Sequence, residues 1–110
     1  MSTRPLVILT EPIDVVSRDW LAARVDLVEA SPGADAFAQA LPDAAGLVVR
    51  TATEVNEVML ARATNLQAVA RAGVGLDNID QDACRSRGIT VLHTPDANTQ
   101  SVAEYVMTLV

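Results

Sequence analysis

The sequence predicts an α/β fold, a doubly wound sheet of five parallel strands covered by helices on both faces. Short continuous apolar runs recur along the chain, as in strands buried on both sides. Between them lie stretches with helical spacing or helix-end signals, at intervals that leave room for one helix each. The composition agrees: half of the 110 residues are hydrophobic and only 3% are aromatic. An aliphatic core of Ala, Val and Leu suits helices packed closely on a sheet.

The first run, residues 6–9, is bounded by Pro5 and by Thr10, Glu11 and Pro12. Residues 25–30, 47–50, 67–71 and 89–92 repeat the pattern and complete the five expected strands. Helices are expected at 14–23 and at 34–41, the second closed by Pro42. A third is expected at 53–63, because Val55, Val58, Met59 and Arg62 share one face. Thr53 would cap it, with Glu54 and Glu57 early and Arg62 late, as the helix dipole favours. A fourth at 79–87 has Asp80 and Asp82 early, Arg85 and Arg87 late, and Gly88 placed to end it. Alternation with short connections implies right-handed crossovers, and among doubly wound sheets the flavodoxin-like order 2-1-3-4-5 is expected. Ser101 and Glu104 have the form of a capping box, so a last helix begins near Asn98 or Thr99. It is apolar nearly all round to Val110, without a stop signal. Such a helix is expected to dock on a further domain or on a second copy.

Charge and composition remove several function classes. All eight basic residues are Arg, so neither a Walker lysine nor a Schiff-base lysine is available. One Cys and one His do not make a Cys/His zinc site, and Cys84 has no internal partner for a disulfide. A reducing, cytoplasmic setting is the natural expectation. The formal charge of −6 disfavours nucleic acid and anionic membrane as partners. No apolar run reaches membrane-spanning length.

Ligands of a doubly wound sheet bind beyond the carboxyl ends of its strands. That places Glu11, Arg50, Thr51, the turn Gly73-Val74-Gly75, and the segment from Pro95 to Asn98 along one edge. Arg50 would be the only cation among those strand ends, able to grip a carboxylate or phosphate. The bland alternative is a surface Arg paired with Glu11. The glycine turn could offer backbone N–H groups to an anion, or could be a plain strand-to-helix turn. It opens a G-x-G-x-x-G pattern that fails at Asn78, and Asp77 lies too close to be a ribose carboxylate. The amide of Asn98 could hold a ligand carbonyl or merely cap its helix. His93, expected just beyond a strand, reads as structural, and Cys84 as a small apolar group on its helix.

Three stretches raise these signals together: LVVRTAT at 47–53, VARAGVGLDNID at 69–80 and TPDANTQSVAE at 94–104. As a set they resemble the amino-terminal part of the NAD-dependent D-2-hydroxyacid dehydrogenases, in particular the 3-phosphoglycerate dehydrogenase branch. The resemblance implies a flavodoxin-like substrate-binding domain over residues 1–98. Residues 99–110 would begin an interdomain helix leading to a nucleotide-binding domain that this chain lacks. It implies that Arg50 and Thr51 meet the acidic groups of a small anionic 2-hydroxy or 2-oxo acid, and that Gly73, Val74 and Gly75 offer N–H groups to its carboxylate. Asn98 would serve both substrate and NAD, and Thr99 the nicotinamide end. Val74 stands where relatives place Thr, so a hydroxyl contact to the cofactor is missing from that position. The family's catalytic Arg, Glu and His come from the nucleotide-binding domain and beyond. His93 is not that His, and the chain alone is expected to be inactive. A non-catalytic small-acid module on the same scaffold, as in transcriptional corepressors, is the alternative. A phospho-receiver domain is excluded, because Arg50 stands where its acceptor Asp would be.

Overall fold

A computed structural model describes residues 4–12, 15–50, 53–72 and 78–94, with the backbone alone at 17, 72, 93 and 94. Five strands, β1 Leu6–Leu9, β2 Asp26–Glu29, β3 Gly46–Val49, β4 Ala68–Ala72 and β5 Thr90–Thr94, form one parallel sheet. Its order is β2-β1-β3-β4-β5, as the alternation predicts. The helices are α1 Val15–Ala22, α2 Asp35–Ala40, α3 Glu57–Arg62 and α4 Gln81–Ser86.

Strand alternation divides the apolar residues between two layers. Ile8, Leu47, Val49 and Val69 face Phe37 of α2, Leu60 of α3, and Ala83 and Cys84 of α4. Val7, Leu9, Val48, Ala68 and Ala70 face the other way, toward Leu21 and Trp20 of α1. Every residue of the central strand β3 is buried, whereas the edge strand β2 is half-buried. That is why β3 reads as an unbroken apolar run and β2 carries Asp26 and Glu29. No helix among the described residues is long and apolar enough to cross a membrane, and none of their acidic, His and Cys side chains cluster as a metal site would require.

Several element ends differ from expectation. Pro42 does not stop the chain after α2 but sits in a 3-10 turn, Leu41–Asp43, where its missing N–H is harmless. The third helix starts four residues late, at Glu57, and Asn56 caps it by accepting from the Met59 N–H at 3.1 Å. Thr53 and Val55 belong to an extended segment, and Val55 pairs with Ile79 in an isolated parallel bridge. Val58 is accordingly 74% exposed and shares no apolar face with Val55. Asp80 caps α4 through the Ala83 N–H, so Ile79 precedes that helix. Gly88 ends it at φ +73°, as its position suggested. His93 lies within β5, not beyond it.

Candidate functional site

The carboxyl ends of β1, β3 and β4 lie side by side. β3 and β4 are in register from Gly46 opposite Ala68 to Val49 opposite Arg71. Arg50, the residue after β3, therefore stands beside the end of β4, and its side chain is exposed. The expectation that Arg50 is the only cation there is wrong. Arg71, one position short of the β4 terminus, is a second, and it is 6% exposed. Reading 67–71 as a buried strand concealed it, because a guanidinium in such a strand carries no periodic signal.

The Glu11 carboxylate reaches across from β1. Its Oε2 accepts the backbone N–H of Arg50 at 2.7 Å and that of Thr53 at 3.2 Å. The Arg50 guanidinium, through Nη1, donates to the Pro12 carbonyl at 3.1 Å. The surface pair foreseen between Arg50 and Glu11 thus takes another form. Glu11 holds the Arg50 backbone, and one guanidinium N–H rests on a neutral carbonyl. Among the described residues, Pro12 is the one hydrogen-bond partner of this guanidinium, which carries five N–H groups.

Asn78 closes the loop from the other side. Its Nδ2 donates to the Arg50 carbonyl and, at 2.7 Å, to the Thr53 carbonyl. Its own carbonyl accepts the Val55 N–H at 2.8 Å, and the Asp80 N–H reaches the Val55 carbonyl at 2.8 Å. Thr53, only 3% exposed, donates its hydroxyl to the Thr10 hydroxyl at 2.9 Å. Thr10 in turn reaches the Val48 carbonyl at 3.3 Å. All three polar groups of Thr53 are engaged, the N–H and the hydroxyl by Glu11 and Thr10 at the end of β1 and the carbonyl by Asn78. By local pattern Thr53 reads as a helix cap and Asn78 as the break in a glycine motif. Nothing in local spacing shows that they meet.

Thr51, Gly73, Val74, Gly75, Asn98 and Thr99 lie outside the described residues, as does the helix expected from Thr99 onward. Cys84 is fully buried on α4, and desolvation, with a smaller effect of Asp80, pushes its thiol above the usual range. It packs as the small apolar group expected.

A cavity of about 340 Å³ opens between the ends of β1 and β2, bordered by Thr10, Glu11, Pro12, Glu29, Ser31 and Ala34. This is where a dinucleotide would sit in a nucleotide-binding sheet, with an acidic residue at the end of the second strand. Here the fit fails. The segment from Thr10 to Val15 contains no glycine, Glu11 occupies the turn, and Glu29 is held by Arg18 at 2.8 Å. Carboxylates on both sides disfavour a diphosphate at this cavity, whereas the Arg50 side of the edge carries an exposed cation.

The sequence model of the D-isomer specific 2-hydroxyacid dehydrogenase catalytic domain matches residues 7–107. D-3-phosphoglycerate dehydrogenase of Mycobacterium tuberculosis is 41% identical over 109 residues, 96% of this chain and 20% of the relative. (S)-Sulfolactate dehydrogenase of Chromohalobacter salexigens is 58% identical over 62 residues, 56% of this chain and 20% of that protein. The chain thus spans about one fifth of these relatives. Among solved structures, a 2-hydroxyacid dehydrogenase of Ketogulonicigenium vulgare superposes with a TM-score of 0.76 at 27% identity, over 98% of this chain and 36% of that one. The matched range includes Arg50, Gly73, Gly75 and Asn78, and the family model together with these relatives establishes that the chain belongs to the D-isomer specific 2-hydroxyacid dehydrogenases.

Proposed function

We propose that this chain is the substrate-recognition part of an NAD-dependent dehydrogenase that acts on a small 2-hydroxy acid carrying a second anionic group. The observation that carries the reading is Arg50, an exposed guanidinium at the carboxyl edge of the sheet with its backbone held on both sides. The names of two relatives support the substrate class. Phosphoglycerate and sulfolactate are both three-carbon 2-hydroxy acids, with a phosphate or a sulfonate on the third carbon. A planar fork suits either tetrahedral anion as well as a carboxylate.

In this reading Arg50 and Thr51 take the acidic groups, and the N–H groups of Gly73, Val74 and Gly75 take the carboxylate. Asn98 serves both substrate and cofactor, while Val74 and Thr99 border the nicotinamide. NAD, when bound, accepts the hydride, and its main binding surface belongs to a nucleotide-binding domain outside this chain. This chain orients and holds the acid. Residues 1–98 form the substrate-binding domain and 99–110 the start of the interdomain helix, with self-association through that helix as a further expectation.

The test is the KM for 3-phosphoglycerate and for sulfolactate in the dehydrogenase that contains this chain. Arg50→Ala is expected to raise it about ten- to a hundredfold, the value of a charge-assisted contact of roughly 1.5 to 3 kcal/mol. Arg50→Lys keeps the charge, loses the fork and recovers only part. An unchanged KM with a slightly lower melting temperature would refute the reading and leave Arg50 as a tether to the Pro12 carbonyl.

A further inference from the structure

We propose that Glu11 and Asn78 are positioning residues for Arg50, gripping the peptide groups of Arg50 and Thr53 from opposite sides so that the guanidinium is preset for the acid. The inference rests on the reading of Arg50 as the residue that recognises the acid.

The two side chains divide the work by chemistry. One carboxylate oxygen of Glu11 accepts both N–H groups, from Arg50 at 2.7 Å and Thr53 at 3.2 Å. One amide nitrogen of Asn78 donates to both carbonyls of the same two residues. An ionised carboxylate oxygen can accept two donors, and a primary amide nitrogen carries two hydrogens in a fixed plane. Neither side chain could exchange roles with the other. The orientation of the Asn78 amide follows from its neighbours, since an oxygen turned toward two carbonyl oxygens would be repelled. Turned this way, its Oδ1 is buried without a hydrogen-bond partner among the described residues. An amide that leaves its acceptor unsatisfied in order to place both donors on one loop is spent on that loop.

Asn78 is not needed in this way to hold its own segment. That segment is already fixed to Val55 by two bonds of 2.8 Å, one accepted by the Asn78 carbonyl and one donated by the Asp80 N–H. The side chain adds the contact to residues 50 and 53, which are 28 and 25 positions away in sequence. On the opposite side, the Glu11–Pro12 segment touches Arg50 twice, at its N–H and, at 3.1 Å, at its guanidinium. With Cα held by two strand ends and the fork resting on a carbonyl, Arg50 has little freedom left to lose when the acid arrives. Preorganisation of that kind appears in binding, because a misplacement of about 1 Å in a recognition group can cost up to a hundredfold.

The experiment is a double-mutant cycle on the KM for 3-phosphoglycerate in the dehydrogenase containing this chain, with kcat and melting temperature measured alongside. Asn78→Ala and Glu11→Ala are each expected to raise KM by about three- to tenfold, less than Arg50→Ala does, because the charge remains but its placement loosens. Added to Arg50→Ala, either is expected to raise KM no further. Glu11→Gln keeps a neutral acceptor and should restore part of the loss. An Asn78→Ala or Glu11→Ala effect that persists in the Arg50→Ala background, or no KM effect at all, would overturn the positioning role while leaving Arg50 as the recognising residue. An Arg50→Ala variant with unchanged KM would instead overturn the reading of Arg50 itself. Amide hydrogen exchange of the unmutated protein keeps the test open if a variant fails to fold. The N–H groups of residues 50 and 53 should exchange slowly, and unprotected amides there would overturn the proposal.

Discussion

The buried hydroxyl relay from Thr53 through Thr10 to the Val48 carbonyl offers a sharp stability test. Both threonines are nearly inaccessible, at 3% and 6% exposure, so neither hydroxyl can turn to water if its partner is removed. Thr53→Val deletes one donor. The Thr10 hydroxyl keeps its own bond to Val48, and the loss should be about 1 kcal/mol, one ordinary hydrogen bond. Thr10→Val is worse, because it strands the Thr53 O–H in the interior, at a cost of roughly 1 to 3 kcal/mol. The Val48 carbonyl is spared, since the Thr10 backbone N–H still reaches it at 3.1 Å. Independent effects would sum to about 2 to 4 kcal/mol. The double variant leaves no buried hydroxyl, so its loss should be about 1 kcal/mol or less, a coupling of roughly 1 to 3 kcal/mol. Urea unfolding of the four proteins measures this through the midpoint at constant slope; with a slope of about 1 to 2 kcal/mol per molar, a loss of 2 kcal/mol moves it by roughly 1 M or more. A double variant whose loss equals the sum of the singles within about 0.5 kcal/mol would refute the relay.

Cys84, raised by burial, stays protonated in the folded chain at pH values where the unfolded chain loses its proton. Stability should therefore fall as pH rises past the ordinary thiol value of 9.0. Urea midpoints between pH 8 and 10 measure that slope; it should flatten in Cys84→Ala, and an equal slope in both would refute the assignment. Native Cys84 should also resist a thiol reagent at pH 8 until the chain unfolds. Two glycines should respond with opposite signs, although an added Cβ meets nothing within 4 Å at either. Gly88→Ala, at φ +73°, should cost about 1 to 2 kcal/mol in left-handed strain. Gly33→Ala should be neutral or stabilising by up to roughly 1 kcal/mol, through a less flexible unfolded chain. Equal shifts in the denaturation midpoint would count against that account. Asn56→Ala should lose about 1 kcal/mol by uncapping α3, and Thr53→Ala should leave the helix start in place. Amide exchange at Met59 reports which residue is the cap.

The sheet was readable from the chain because burial on both faces imposes a local pattern. β1 and β3 are runs of four apolar or glycine residues, followed by Thr10 and Arg50, and their shortness together with the helical signals between them reads as strands buried on both faces. Strand order followed from the short crossovers, and the family from stretches of contiguous residues. Arg50 was also accessible, since the rule that ligands meet the carboxyl ends of strands needs no coordinates.

What surrounds Arg50 was decided by tertiary structure. Glu11, Thr53 and Asn78 come from three separate strand ends, 25 to 42 positions apart where they touch, and periodicity carries no information at that range. The late start of α3 has the same origin. Thr53 has the composition of a helix cap, but its hydroxyl is taken by Thr10, its N–H by Glu11 and its carbonyl by Asn78. A residue whose three polar groups are all bound elsewhere has none left for a helix end. The chain stays extended through Val55, pairs with Ile79, and turns helical only after Asn56, where an unclaimed side-chain oxygen could take the Met59 N–H. Local propensity named the residues able to cap, and competition among distant hydrogen-bond partners chose between them.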